Sequence, residues 1–485
     1  MIKNLEKLQE FQETEYDICI IGSGPAGITI ANNIDKKKKV LLCEGGDFEQ
    51  TEQSTDCYVG KIIGDPYFDL DVCRLRQFGG TSGHWGGWCR TFDDVDFLKK
   101  KLNSKAYWPI KKDELDIYLS RSLKILDVPN IPKDELISDK FGIKKVYFKF
   151  SGSEEREPVR FGDKYKKQII KSQNIDLYIN SNLTQIYNSN DIVKEATFKS
   201  FNKNILKVKA KIFIFAMGGI ENSRQLLWQQ ILNNNSLYND KLPVGRYWIE
   251  HPHYTLGDVL LSNEINLSFY TLTKSMQMQK GVMGCAIRIH GQSLSKTKNL
   301  IRNLMCNVPN LSKKFLSKLN KNILCSASIE TQWEQSPEHS NRIKLSDEEK
   351  DSFNIPRSVL EWKKVNLDYI TVKETLNQFN KWILENDLGR IKLDDWILDD
   401  NYENLILNKK GPFIEANGGN HHMGGTRMSN DSNDGVVDKN CKVFGIKNLY
   451  MAGSSVFPTG SYSNPTLTIV QLSLRLAEYL NQKKN

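Results

Sequence analysis

The chain has 485 residues, 39% hydrophobic and 26% charged, with a mean hydropathy of -0.49; this composition suits a soluble globular protein large enough for two domains. Its net charge of +9 comes from 67 basic and 58 acidic residues scattered without a basic arm or stripe, which argues against nucleic-acid binding. No apolar run approaches the roughly 20 residues that span a bilayer, and nine dispersed cysteines without a C-x-x-C pair argue against zinc. With a polar start and reduced thiols, a cytoplasmic protein without a metal is expected.

Asp17–Ile21 is a short apolar run that predicts a buried parallel strand. Gly22-Ser23-Gly24-Pro25-Ala26-Gly27 then turns into an amphipathic helix carrying Ile30, Ala31 and Ile34. Gly22 permits the turn, Gly24 lets backbone approach a pyrophosphate, and Gly27 lets the helix pack on the strand. A second apolar run, Val40–Cys43, ends in Glu44, placed to accept hydrogen bonds from a ribose 2′-hydroxyl. This is the adenosine half of a dinucleotide site. The fingerprint does not separate FAD from NAD, although the acidic strand end argues against NADP.

The segment Arg74–Arg90 packs five glycines into the nine residues Gly79–Gly87, beside Trp85, Trp88 and His84. It forms no regular helix or strand, and its aromatics suit a loop against a flat cofactor. From about Asp93 to Pro158 the chain reads as helices and loops. Ile175–Ile179, Leu183–Tyr187 and Ala196–Phe201 predict an antiparallel meander. The run Lys211–Ala216 is another buried strand, ending in the Gly218-Gly219 turn before a helix over Arg224–Trp228. Beyond Val244–Pro252, alternating strands such as Cys325–Trp333 and Asn341–Leu345, and a helix over Tyr369–Asn386, suggest the sheet-based wall of a substrate pocket.

The carboxy-terminal part carries Asn420-His421-His422-Met423-Gly424-Gly425-Thr426, a strand over Leu449–Ala452, the loop Gly453–Ser463, and Asn464-Pro465-Thr466. Ile469, Leu472, Leu476 and Leu480 fall at helical spacing, which predicts a helix from Pro465 with Asn464 as its N-cap. Its amino terminus is a site of positive potential.

Taken together, the Gly22–Gly27 turn with Glu44, the loop Gly79–Trp88, the Ala216–Gly219 turn, Val244–Pro252 and the pair His422 and Asn464 resemble the glucose–methanol–choline (GMC) family of FAD-dependent oxidoreductases, over nearly the whole chain. The resemblance implies FAD, with Gly80, Thr81, His84, Trp85, Ala216, Gly453, Ser454, Pro465 and Thr466 joining the fingerprint residues around it. It also implies His422 as the base that takes a hydroxyl proton and Asn464 as its partner, while hydride leaves the same carbon for flavin N5. Neutral imidazole is chemically suited to that task. Asn464 also reads as a plain N-cap, His421 competes with His422 for the base, and His251 and His253 read as structural.

The stretch Gly79–Trp85 resembles the segment through which some members, such as pyranose and choline oxidases, attach FAD by a histidine to the flavin 8α-carbon; His84 is then either covalently joined or packed against the ring. Gly453 stands where many members have Asp, so Ser454 or Ser455 takes over that contact, and the pyranose oxidases, which also have glycine there, are the nearest branch. The expectation is an α/β protein: a Rossmann-like FAD domain from residues 1–83, 168–254 and 416–485, and a substrate domain from 84–167 and 255–415 on a mainly antiparallel sheet. It oxidises an alcohol or carbohydrate. The electron acceptor is open among oxygen, a quinone and a protein carrier, and the other readings are an NAD-dependent dehydrogenase or a flavin-binding subunit without turnover.

Overall fold

The apolar runs expected to be buried pair as parallel neighbours, Ile18–Ile21 beside Val40–Cys43, with every side chain in them buried on both faces. The structure is a computed structural model that describes residues 1–8, 11–101, 103–152, 157–261, 268–290, 327–399, 401–407, 411–413 and 416–483. Its first sheet runs in the order Ile2–Asn4, Ile175–Ile179, Val40–Cys43, Phe11–Ile21, Ile205–Phe215, Ile192–Lys199 and Asn182–Ser189. Leu449–Met451 pairs in parallel with the far half of Ile205–Phe215, whose near half pairs with the antiparallel Ile192–Lys199. The first strand begins at Phe11, earlier than its apolar run, because the alternating stretch Phe11–Tyr16 lies alongside Ile205–Ala210 with one face in solvent.

Several sequence expectations need correction. Ile175–Ile179 is no part of a meander: it pairs in parallel with Val40–Cys43 and with Ile2–Asn4, and only the next three strands form the antiparallel meander. Its near-continuous burial, rather than a half-buried alternation, marks a parallel sheet. Between Asp93 and Pro158 there are strands as well as helices, Glu135–Ser138 and Ile143–Val146 among them. The helix expected over Arg224–Trp228 runs from Glu221 to Leu232, and the long helix spans Asn366–Glu385. The strand expected from Cys325 covers Ala327–Trp333, Cys325 itself lying outside the described residues; the next strand is Arg342–Lys350.

The second large sheet is antiparallel throughout, in the order Gly389–Leu393, His253–Leu261, Ala327–Trp333, Cys285–His290, Phe269–Leu272, Ile143–Val146 and Glu135–Ser138. The helix Asn366–Glu385 covers it, packing Phe379 and Trp382 on Tyr270. In the first layer the helix Pro25–Asn33 packs against the carboxy-terminal helix Thr466–Gln482, and the close fit has a specific cause. A Cβ on Gly27 would stand 2.0 Å from the Gly22 carbonyl oxygen, so only glycine lets the helix begin so near the turn. Among the described residues no helix is long and apolar enough to cross a membrane.

Candidate active site

The strand-turn-helix at Gly22, the glycine-rich loop, the Ala216–Gly219 turn and the start of the last helix converge on one cavity of about 450 Å3. Gly22, Gly24 and Glu44 line one part of it; Gly80, Thr81, His84 and Trp85 line another; Ala216, His421, His422, Gly453, Ser454, Asn464, Pro465 and Thr466 complete it. Gly27 is the one fingerprint residue outside the lining, since its task is packing. The second glycine turn brings His422 into place: a Cβ on Gly219 would lie 2.1 Å from the His422 carbonyl oxygen. The Ser454 hydroxyl donates to that same carbonyl at 2.5 Å, and Ser455 turns away to accept from Asn222.

The residues present fit a dinucleotide. A Cβ on Gly24 would meet nothing within 4 Å, so backbone there faces open cavity. Glu44 is buried at the strand end, where one carboxylate oxygen accepts from the Ser23 amide at 3.1 Å and hydroxyl at 2.6 Å, and the other from the Gly46 amide at 3.0 Å. Burial raises its pKa, opposed by those hydrogen bonds and by the Arg76 charge. Two lining arginines, Arg74 and Arg76, keep one buried nitrogen each, Nη1 and Nε, without a hydrogen bond; Arg74 Nη1 lies 4.0 Å from Glu221 Oε2, while Arg76 Nε has a hydrogen left for an anionic cofactor. Both guanidinium groups stack on Tyr58, at 4.1 and 5.1 Å from the ring centre.

His422 is buried, stacked on Trp248 and edge-on to Tyr67, each at 6.0 Å between ring centres. Burial, with Arg74 and His84 nearby, lowers its pKa to about 3, so the imidazole is neutral at working pH. Its Nε2 meets the Cys73 thiol at 3.5 Å. His84 is solvent-accessible at the cavity wall; burial of part of its ring and the Arg160 charge lower its pKa, against the Cys73 carbonyl.

The carboxy-terminal helix starts at Thr466, and Pro465, not Asn464, is the cap residue, so the expected N-cap is corrected. No side chain caps the amides of its first turn, and the Asn464 side chain has another partner. That partner is Gln332, whose Nε2 donates to the Tyr462 carbonyl at 2.5 Å and to Asn464 Oδ1 at 2.9 Å. A carbonyl only accepts, so it fixes the Gln332 amide, and Gln332 in turn fixes which end of Asn464 is the acceptor. Gln332 was not legible in sequence, because an alternating strand gives no local sign of what it faces across the fold.

His421 points elsewhere. Its Nδ1 lies 2.9 Å from His251 Nδ1, and His251 Nε2 lies 3.1 Å from the Gly460 carbonyl oxygen. Buried Glu250 braces the strip: Oε1 accepts from the amides of His251 and His421, both at 2.7 Å, and Oε2 accepts from the Tyr67 hydroxyl. His251 is part of the brace that holds the segment carrying His421 in place.

Residues 337–473 match the family model described as GMC oxidoreductase, in its C-terminal part. Over that stretch the chain carries a GMC oxidoreductase C-terminal domain. It is 21% identical over 557 residues to 2-methyl-1,2-propanediol dehydrogenase of Mycolicibacterium austroafricanum, covering 97% of this chain and 96% of that protein. It is 22% identical over 318 residues to the fructose dehydrogenase large subunit of Gluconobacter japonicus, covering 64% of this chain and 55% of the other. A structure of Aspergillus oryzae RIB40 formate oxidase, solved to follow modification of its FAD, superposes with a TM-score of 0.58 at 15% identity, covering 96% of this chain and 98% of that one. GMC oxidoreductases bind FAD, and FAD is also the group named for the formate oxidase.

Burial raises the Glu250 pKa from 4.5 to about 7, against the hydrogen bonds it accepts. Below about pH 4.5 both folded and unfolded chains hold the proton, so stability is fullest there; it is lost as pH rises through about 7, because only the unfolded chain ionises freely. Across that window the group is expected to account for roughly 3 kcal/mol. Asp96 and Asp368, both raised to about 7 by burial, act with the same sign. Thermal melting from pH 4.5 to 8 is therefore expected to show a shallower decline in Glu250→Gln than in the wild type.

Proposed function

We propose that this GMC-type oxidoreductase oxidises a CH–OH group of an alcohol or polyol sugar, with His422 as the base and Asn464 as its partner. Bound FAD supplies the acceptor for the hydride that leaves the carbinol carbon. The observation that carries the reading is the pairing, in one cavity, of an uncharged buried imidazole with an amide of fixed polarity. Neutral His422 accepts the hydroxyl proton. Asn464 commits its Oδ1 to Gln332, and its Nδ2 has no hydrogen-bond partner among the described residues, so that N–H group is turned to the oxygen losing its proton. The first amides of the helix Thr466–Gln482 border the same cavity and favour negative charge there. The alcohol and the sugar in the names of the two relatives support this substrate range.

His84 is, in this reading, the point of covalent attachment. Its lowered pKa favours the neutral, nucleophilic ring, and it stands on the wall of the cavity that His422 also lines. The FAD domain is drawn from residues 1–83, 168–254 and 416–485. A cytoplasmic location agrees with the seven described cysteines, all free and buried.

Anaerobic stopped-flow reduction of the flavin by a panel of alcohols and sugars tests the chemistry. His422→Ala is expected to slow reduction by about 10²–10⁴-fold with the flavin spectrum retained, and His421→Ala by much less. Reduction by the wild type should stay level between about pH 5 and 7, since His422 is already deprotonated there. No effect of His422→Ala on any substrate would return the protein to a flavin-binding subunit without turnover.

Gln332→Leu frees the Asn464 amide to turn over, and a loss of about tenfold in the reduction rate, rather than in substrate affinity, is expected.

For His84, the yellow colour is expected in the pellet after acid precipitation of the wild type and in the supernatant for His84→Ala. Colour in the wild-type supernatant returns His84 to a packing role.

A further inference from the structure

A second cavity, of about 310 Å3, shares Asn464 with the first as a common wall, and the described chain assigns it no task in proton or hydride transfer. It opens on one face of the antiparallel sheet. Three neighbouring strands present matched residues there: Arg288 lies opposite Glu330 and Glu330 opposite Thr255, while Ala286 lies opposite Gln332 and Gln332 opposite His253. Directly paired residues on adjacent strands point to the same face, so these six form two polar-bearing rows on the cavity floor. His253 Nε2 is buried there without a hydrogen-bond partner.

The other wall is aromatic. Trp88, Phe148 and Phe269 line the cavity, with Phe148 and Phe269 at 4.4 Å between centres and Trp88 edge-on to Phe269 at 6.5 Å. The Arg288 guanidinium sits over two of the rings, 5.2 Å from Phe269 and 5.7 Å from Trp88. Trp88 is among the exposed large hydrophobic residues.

We propose that this cavity binds a second, hydroxylated ring of the substrate, so that the preferred substrate is a disaccharide or larger glycoside whose oxidised ring lies at Asn464. The inference rests on the oxidation reading above. A sugar ring has an apolar C–H face, matched by the Trp88 wall, and hydroxyls around its rim, matched by Arg288, Glu330, Thr255 and His253. A plain aryl group offers no hydrogen bond to His253 Nε2, at a cost in binding. An anion gains little, because the Arg288 charge faces Glu330 across the strand pair. The volume is at the small end of ligand pockets, enough for one ring and not for a chain of them.

The test compares kcat/KM for flavin reduction by methyl monosaccharides with that for matched disaccharides (cellobiose, maltose, lactose) and for phenyl glycosides. The wild type is expected to prefer a disaccharide over its monosaccharide by about tenfold or more, and over the phenyl glycoside. Trp88→Ala and Arg288→Leu are expected to bring that ratio towards 1, while Trp88→Phe keeps most of it; flavin absorbance and the melting temperature report that each variant has folded. A wild-type ratio near 1, a preference for the phenyl glycoside, or a ratio unchanged in both variants overturns the proposal. If no sugar reduces the flavin, the oxidation reading fails by itself, and the cavity is then read by tryptophan fluorescence. A saturable disaccharide quench lost in Trp88→Ala upholds the second-ring site, and no quench overturns it.

Discussion

Backbone packed directly on backbone is the constraint on which the cavity depends. At Gly27 the first helix approaches the Gly22 carbonyl, and at Gly219 the second turn approaches the His422 carbonyl, in both cases closer than any side chain allows. The second contact joins the central and carboxy-terminal parts of the chain, and a Cβ on Gly22 would stand 2.4 Å from the Ala216 carbonyl oxygen, which ties the amino-terminal turn to the central one. Remote segments, joined below by one hydrophobic core, can therefore supply single residues to a shared site.

Burial sets the electrostatics of that site. His251, His253, His421 and His422 all lie where the charged form is disfavoured, so the cluster is held neutral. Glu250 carries the opposite consequence of the same burial, a carboxyl that retains its proton to higher pH while bracing the segment carrying His421. Lys100 does for the loop ahead of Asn464 what Glu250 does for His421: it pairs with buried Glu334, which accepts from Thr459 in that loop. Glu250, Lys100 and Glu334 thus brace the site from outside the cavity lining.

Much of the site was legible because its signals are local. The turn at Gly22, the acidic strand end at Glu44, the crowded glycines before Trp85 and the pair His422 and Asn464 each announce themselves within a few residues, and the fold lines them on one cavity. Errors arose where local pattern and tertiary partner differ. Ile175–Ile179 looks like the first strand of a meander, yet its partner is Val40–Cys43, far back in the chain. Asn464 before Pro465 looks like a helix cap, yet the side chain is claimed by Gln332 from the other sheet. Arg74 and Arg76 precede the glycine loop in plain view, but nothing in their spacing shows that each keeps a buried nitrogen without a hydrogen bond.

By itself the sequence determined the dinucleotide turn, the buried strands and the chemical types available to the site, because backbone permissiveness and hydrophobic periodicity act over a few residues. Only the tertiary structure decided the polarity of the Asn464 amide, the neutrality of the histidine cluster and the second cavity beside Trp88. Each of these depends on burial or on a hydrogen-bond partner more than a hundred residues away, such as Gln332 for Asn464 and Glu250 for His421, and no local pattern encodes such a partner.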